Sequence, residues 1–274
     1  RSSYFSVLMR VGLAALVFLP FLRTRGQSPR TIVLYMLVGA MQLGIMYLLA
    51  FRAYLYLTVS EFLLFTVFTP LYITLIYDLL SGRKLRWGYL LSAALAVLGA
   101  AIIRYDKVSD HFWTGLLLVQ LSNLCFAIGM VGYKRLMEVR PMPQHNAFAW
   151  FYVGAFIVAV AAWFMLGNAQ KLPTTTLQWS VLVWLGVVAS GLGYFMWNYG
   201  ATQVDAGTLG IMNNVHVPAG LLVNLAIWQE QPHWPSFISG ALVILASLWV
   251  HRRWVAPHSG QTADDRRRGS AQSE

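Results

Sequence analysis

The chain has 274 residues, of which 58% are hydrophobic and 11% charged, with a formal net charge of +10. Soluble domains carry about 25% charged residues, and a chain of this length cannot hide so much apolar surface in one globular core, which excludes an aqueous fold. The basic excess lies between apolar runs, where it sets membrane orientation, so no nucleic-acid partner is expected.

The apolar runs are about 20 residues long, the length that crosses a hydrocarbon core as a helix. Runs such as 92–103 and 179–194 are apolar on nearly all sides. They lack the alternation of a transmembrane barrel and predict an all-α polytopic membrane protein. In chain order the predicted spans are about 4–22, 31–51, 57–80, 87–104, 112–133, 147–166, 177–199, 206–228 and 234–251. Short connections make consecutive helices antiparallel neighbours. The lone cysteine, Cys125, lies inside a span as filler, and residues 255–274 are predicted to be a disordered cytoplasmic tail.

Arginine and lysine separate by side. One side collects Arg23, Arg25, Arg30, Arg83, Lys84, Arg86, Lys134, Arg135, Arg140, Arg252, Arg253 and Arg266 to Arg268, against Arg52, Arg104, Lys107 and Lys171 on the other. The rich side is cytoplasmic, which places the C-terminus inside and Arg1 outside. Sliding the chain by 148 residues lays Pro70 on Pro218, Ser92 on Gly240, Gly99 on Ser247 and Arg104 on Arg252. The expected organisation is therefore a first repeat over 1–110, showing four helices, and a second, five-helix repeat over 111–254. An odd number of helices per repeat inverts the second relative to the first. A ten-helix chain lacking its first helix is the expectation.

Inverted repeats place a substrate near the midplane, beside helices interrupted by proline or glycine. Pro70 and Pro218 are the predicted kinks. Just before Pro218 lie Asn213, Asn214 and His216, with Asn213 and His216 on one helical face. They are candidates for substrate contact, for proton coupling through His216, or for helix-to-helix hydrogen bonding. Arg10, inside the first run, can receive a substrate carboxylate bidentately, snorkel to headgroups, or pair with Glu61, an acidic residue well inside the runs that could also serve coupling. Gln120 with Asn123, the set Tyr194, Trp197 and Asn198, and Gln42 near Tyr47 add amides and flat walls suited to a small-molecule site. Trp87, Trp113, Trp234 and Trp254 fall at span ends as interfacial anchors. The chain carries no HExxH, P-loop or GxSxG signature. It predicts no enzyme, cofactor or metal, and any transport would be driven by a gradient or by exchange.

With its repeats and its Pro70 and Pro218 helices laid out, the chain from Tyr4 to Trp254 resembles the drug/metabolite transporter superfamily, in its EamA-type members. That resemblance implies ten helices in two inverted five-helix repeats, with a proline in the fourth helix of each. The acidic residue usual after that helix stands as Glu230 in the second repeat but is replaced near Gly82-Arg83 in the first. The runs Arg10 to Pro20, Lys134 to Glu138 and Ala206 to Asn214 resemble an enterobacterial branch that imports biotin, which implies biotin uptake across the inner membrane. Export of amino acids, amines or other metabolites is the rival within the superfamily, and a scaffold or sensor without transport the rival outside it.

Overall fold

A computed structural model describes residues 3–57, 62, 65–82, 87–88, 91, 94–95, 98, 112–167, 172–215, 218–219, 222, 234–250 and 253. Among these there are helices and no strands. The helices are α1 (Ser3–Phe18), α2 (Pro29–Gly39), α3 (Met46–Ala53), α4 (Thr69–Leu80), α5 (Phe112–Val139), α6 (Gln144–Leu166), α7 (Thr176–Trp184), α8 (Tyr194–Ala201), α9 (Ala206–Asn213) and α10 (Trp234–Val250). Two π-helical segments, Ala40–Ile45 and Leu185–Gly193, join α2 to α3 and α7 to α8 without a break. Among the described residues, five stretches are long and apolar enough to cross a membrane: Tyr4–Phe21, Pro29–Ala53, Trp113–Val139, Gln144–Leu166 and Thr176–Ala201.

Local sequence sets the helix starts. Ser28 accepts from the Thr31 N–H ahead of Pro29, Thr175 accepts from Gln178, and Asp205 accepts from Gly207 and Thr208. Each short polar side chain satisfies donors that the first turn leaves unpaired. The helices at the predicted spans 112–133 and 147–166 extend further than their apolar runs. Helix α5 runs on through Lys134 and Arg135 to Val139, and α6 begins at Gln144, leaving a tight Arg140–Pro143 connection. Lys134 stays helical because its ammonium reaches the Val204 carbonyl at 2.8 Å and Glu138 at 3.4 Å.

The residues group into two compact units. Unit 1 holds Arg1–Thr66 and Lys107–Val204, hence α1 to α3 and α5 to α8. Its core is an aromatic cluster: Phe18, Phe148, Phe151, Tyr152, Tyr35 and Tyr133 are buried, with rings 4.7 to 6.1 Å apart in pairs such as Phe148–Phe151 and Tyr133–Phe151. On α6 the buried positions Phe148, Phe151, Tyr152, Ala155 and Ala159 recur at helical spacing, while Ile157, Phe164 and Met165 stay exposed. That apolar outer face is what lipid requires. Small residues let α2 and α6 cross at backbone distance. A methyl at Gly39 would overlap the Phe151 carbonyl, and one at Gly154 the Met36 carbonyl.

Unit 2 holds Val67–Asp106 and Asp205–Glu274, hence α4, α9 and α10. Val67, Ile211 and Ile244 form its described core. At Gly210 an added Cβ would stand 3.2 Å from the Pro70 carbonyl oxygen, so α9 packs directly on the start of α4. The predicted kink at Pro70 takes the form of a turn at Val67–Phe68 before α4 restarts at Thr69. Proline lacks an N–H and frees the carbonyl one turn back. At Pro218 a turn at Asn214–Val215 follows α9, and Pro218–Ala219 are helical again. The predicted tail and Trp254 lie outside the described residues, whereas Trp87 is exposed and Trp113 and Trp234 are exposed at the starts of α5 and α10.

Candidate functional site

Arg10 lies within the Tyr4–Phe21 stretch, six residues and about 9 Å of helix from its start. Its neighbours Val7, Val11 and Ala14 are fully buried, so that side of α1 faces protein. The guanidinium is turned the same way. Its Nε donates to Ser190 Oγ at 3.0 Å, its Nη2 donates to the Tyr47 hydroxyl at 2.9 Å, and the two hydroxyls are 3.0 Å apart. The cation also lies 4.5 Å from the Tyr47 ring centre and 6.0 Å from that of Phe51. The side chain thus turns into the protein and does not snorkel to headgroups. Among the described residues no Asp or Glu pairs with Arg10, and Glu61 lies outside them. An arginine in mid-span costs about 2.5–3.5 kcal/mol on insertion. Cation–π contact of about 0.5–2 kcal/mol and two hydrogen bonds from the charged group, about 1.5–3 kcal/mol each, offset that cost without neutralising the charge, so the guanidinium stays a net cation with no acidic partner among the described residues.

The amides of this chain follow a different pattern. Gln42 and Asn198, both fully buried, exchange reciprocal hydrogen bonds of 2.8 and 2.9 Å. Gln120 and Asn123 both donate to the Phe65 carbonyl, at 3.0 and 2.9 Å, just ahead of the Pro70 turn. In unit 2 the Asn214 amide donates to the Val67 carbonyl at 3.0 Å, in that same turn. These groups bond across to other segments, and the Asn214 amide satisfies a carbonyl that the Pro70 turn leaves unpaired. Asn213 also has an interaction partner. Asn214 differs in one respect: its side-chain oxygen is buried with no hydrogen-bond partner. Such an acceptor costs about 1–3 kcal/mol, a cost that an incoming N–H donor would remove.

Tyr194 packs against the first cluster, its ring 6.0 Å from that of Tyr47, whereas Trp197 donates to the Met130 sulfur at 2.9 Å. The expected roles of Glu61 and His216 fall on residues outside those described. Sequence reading missed Ser190 and Tyr152. Serine in an apolar run resembles packing filler, and the fully buried Tyr152 looks like core until its hydroxyl is seen to bond the carbonyls of Ser190 and Gly191. In the same segment Gly186 lets α1 approach closely, since an added Cβ there would stand 2.8 Å from Leu13.

The Gln42–Asn198 pair carries a direct test. Gln42→Leu or Asn198→Leu alone strands the other amide and is expected to lower the stability of the purified protein by about 1–3 kcal/mol. The double replacement is expected to recover most of that loss in the same thermal-unfolding assay, because no orphan amide remains.

Apolar spans with polar clusters turned inward define a multi-pass helical membrane protein, with groups suited to a small polar solute. The chain belongs to the EamA-like transporter family, whose model matches residues 1–105 and 113–252. It is 83% identical over 272 residues to the "Biotin transporter" of Escherichia coli (strain K12), covering 99% of this chain and 91% of that protein. It is 54% identical over 252 residues to the "Probable biotin transporter" of Pseudomonas aeruginosa, covering 91% and 88%. A solved structure named only "Crystal structure of protein" matches its fold with a TM-score of 0.70 at 16% identity, over 90% of this chain and 85% of that one. The chain is thus a transporter and not an enzyme.

Proposed function

We propose that this protein is a secondary transporter that takes up biotin across the bacterial inner membrane, with its C-terminus in the cytoplasm. The observation that carries the reading is Arg10, a guanidinium inside a membrane span held by hydroxyl groups and without an acidic partner among the described residues. Biotin is a monocarboxylate, and its carboxylate meets that charge as a bidentate acceptor. Tyr194, beside the cluster, offers a flat wall to the apolar part of the ligand. Sequence identity of 83% to a protein named as a biotin transporter supports the same substrate here.

Two inverted five-helix repeats remain the proposed architecture. A shift of 148 residues carries α3 onto α8 from end to end and lays the Ala40–Ile45 segment within Leu185–Gly193. It also lays Gln42 on Ser190, both fully buried and both hydrogen-bonded across to another helix. π-helical turns at equivalent places in the two halves support a shared origin, because such turns are rare.

The test is accumulation of labelled biotin by a biotin-auxotrophic strain carrying the full-length protein. Uptake at nanomolar biotin is expected. Cells that accumulate none, and instead release amino acids or amines faster than controls, would establish export as the activity. Neither flux in cells with normal membrane abundance would favour a scaffold.

A further inference from the structure

The geometry points to Ser190, Tyr47 and Tyr152 as positioning residues that hold one edge of the Arg10 guanidinium and leave the other open for an end-on bidentate carboxylate. This rests on the reading of Arg10 as the substrate's charge partner.

Arginine has five N–H groups in a planar fork. The side-on edge, formed by Nε and one N–H of Nη2, is spent on Ser190 and Tyr47. Among the described residues no protein group bonds the opposite edge, made by Nη1 and the remaining N–H of Nη2. Two parallel donors in that plane match the two oxygens of a carboxylate. The two hydroxyls are bonded as well. Ser190 and Tyr47 each accept from Arg10, and one of them donates to the other. The Tyr47 side chain also hydrogen-bonds that of Tyr194, so the hydroxyls are committed to protein partners and the carboxylate is left to the fork.

Tyr152 controls where Ser190 stands. The segment Leu185–Gly193 is π-helical, so its carbonyls are displaced from α-helical pairing. Two of them, Ser190 and Gly191, accept from the Tyr152 hydroxyl, the latter at 2.9 Å. Tyr152 cannot shift readily, since it is fully buried with Phe18, Phe148 and Phe151 at 5.2 to 5.4 Å around its ring. Tyr152 thus holds the backbone that carries Ser190, and Ser190 holds the edge of Arg10. Removing the Tyr152 hydroxyl acts on Arg10 through Ser190, without touching either side chain.

The experiment measures labelled biotin uptake by the full-length protein and its Ser190→Ala, Tyr47→Phe and Tyr152→Phe variants, each normalised to membrane abundance. Biotin and its neutral amide, biotinamide, compete in every case. Each variant is expected to raise KM for biotin about tenfold, the effect of one weakened charge-assisted bond, with the change falling on KM and not on the maximal rate. The preference for biotin over biotinamide is expected to shrink by the same factor, because only the carboxylate interaction is impaired. Variants that lower abundance or maximal rate while keeping the full preference would overturn the assignment and make these residues structural. A wild type that takes up biotin and shows no preference over the amide would also overturn it, leaving the uptake reading intact. A wild type that takes up no biotin removes both.

Discussion

Arg10→Gln is expected to cut biotin uptake at limiting concentration by about 10- to 100-fold while the protein still reaches the membrane. A hydrogen bond to a charged group contributes about 1.5–3 kcal/mol, and each 1.4 kcal/mol is a factor of ten in affinity. The same replacement removes a charge that opposes insertion by about 2.5–3.5 kcal/mol, so membrane abundance should hold or rise. Function and folding therefore move in opposite directions, which separates a binding role from a structural one. Arg10→Lys keeps the charge and loses the planar fork, so its uptake should fall between wild type and glutamine. Uptake of Arg10→Gln within twofold of wild type, measured with labelled biotin and quantified by immunoblot, would remove Arg10 from the site.

Gly39→Leu or Gly154→Leu should have the larger effect on the fold itself. Helices α2 and α6 meet where these glycines face the carbonyls of Phe151 and Met36, and even a methyl has no room at either position. Overpacking commonly costs about 1–3 kcal/mol, but here the obstacle is backbone, which cannot rotate aside as a side chain does. Membrane abundance is expected to drop at least about tenfold for either variant. Gly200 provides the contrast. Nothing lies within 4 Å of a Cβ there, and alanine in a helix is about 0.8–1 kcal/mol better than glycine, so Gly200→Ala should unfold at the same temperature or slightly higher. Equal abundance across the three variants would show that α2 and α6 are not held by this crossing.

Period, length and charge made the membrane class legible in the sequence. An apolar run of about 20 residues has one stable form in lipid, and Pro70 had to interrupt its helix because it carries no N–H. Arg10 was also legible, since a guanidinium inside an apolar run is costly wherever it points. Its direction was not. Snorkelling outward and turning into the protein are equivalent in one dimension, and only the approach of Ser190 from 180 positions away distinguishes them. The amides show the same limit. Asn198 and Gln42 read as ligand groups because a polar residue in mid-span needs a partner, but 156 residues separate the partner each finds. Ser190 and Tyr152 carried no signal, because a small hydroxyl and a buried ring are ordinary in apolar helices until a π-helical turn offers its carbonyls to one and turns the other toward Arg10. The sequence by itself determined which segments enter the bilayer and which polar groups must be satisfied there, since those follow from local composition. Only the tertiary structure decided which group satisfies which, because that depends on how helices distant in the chain pack side by side.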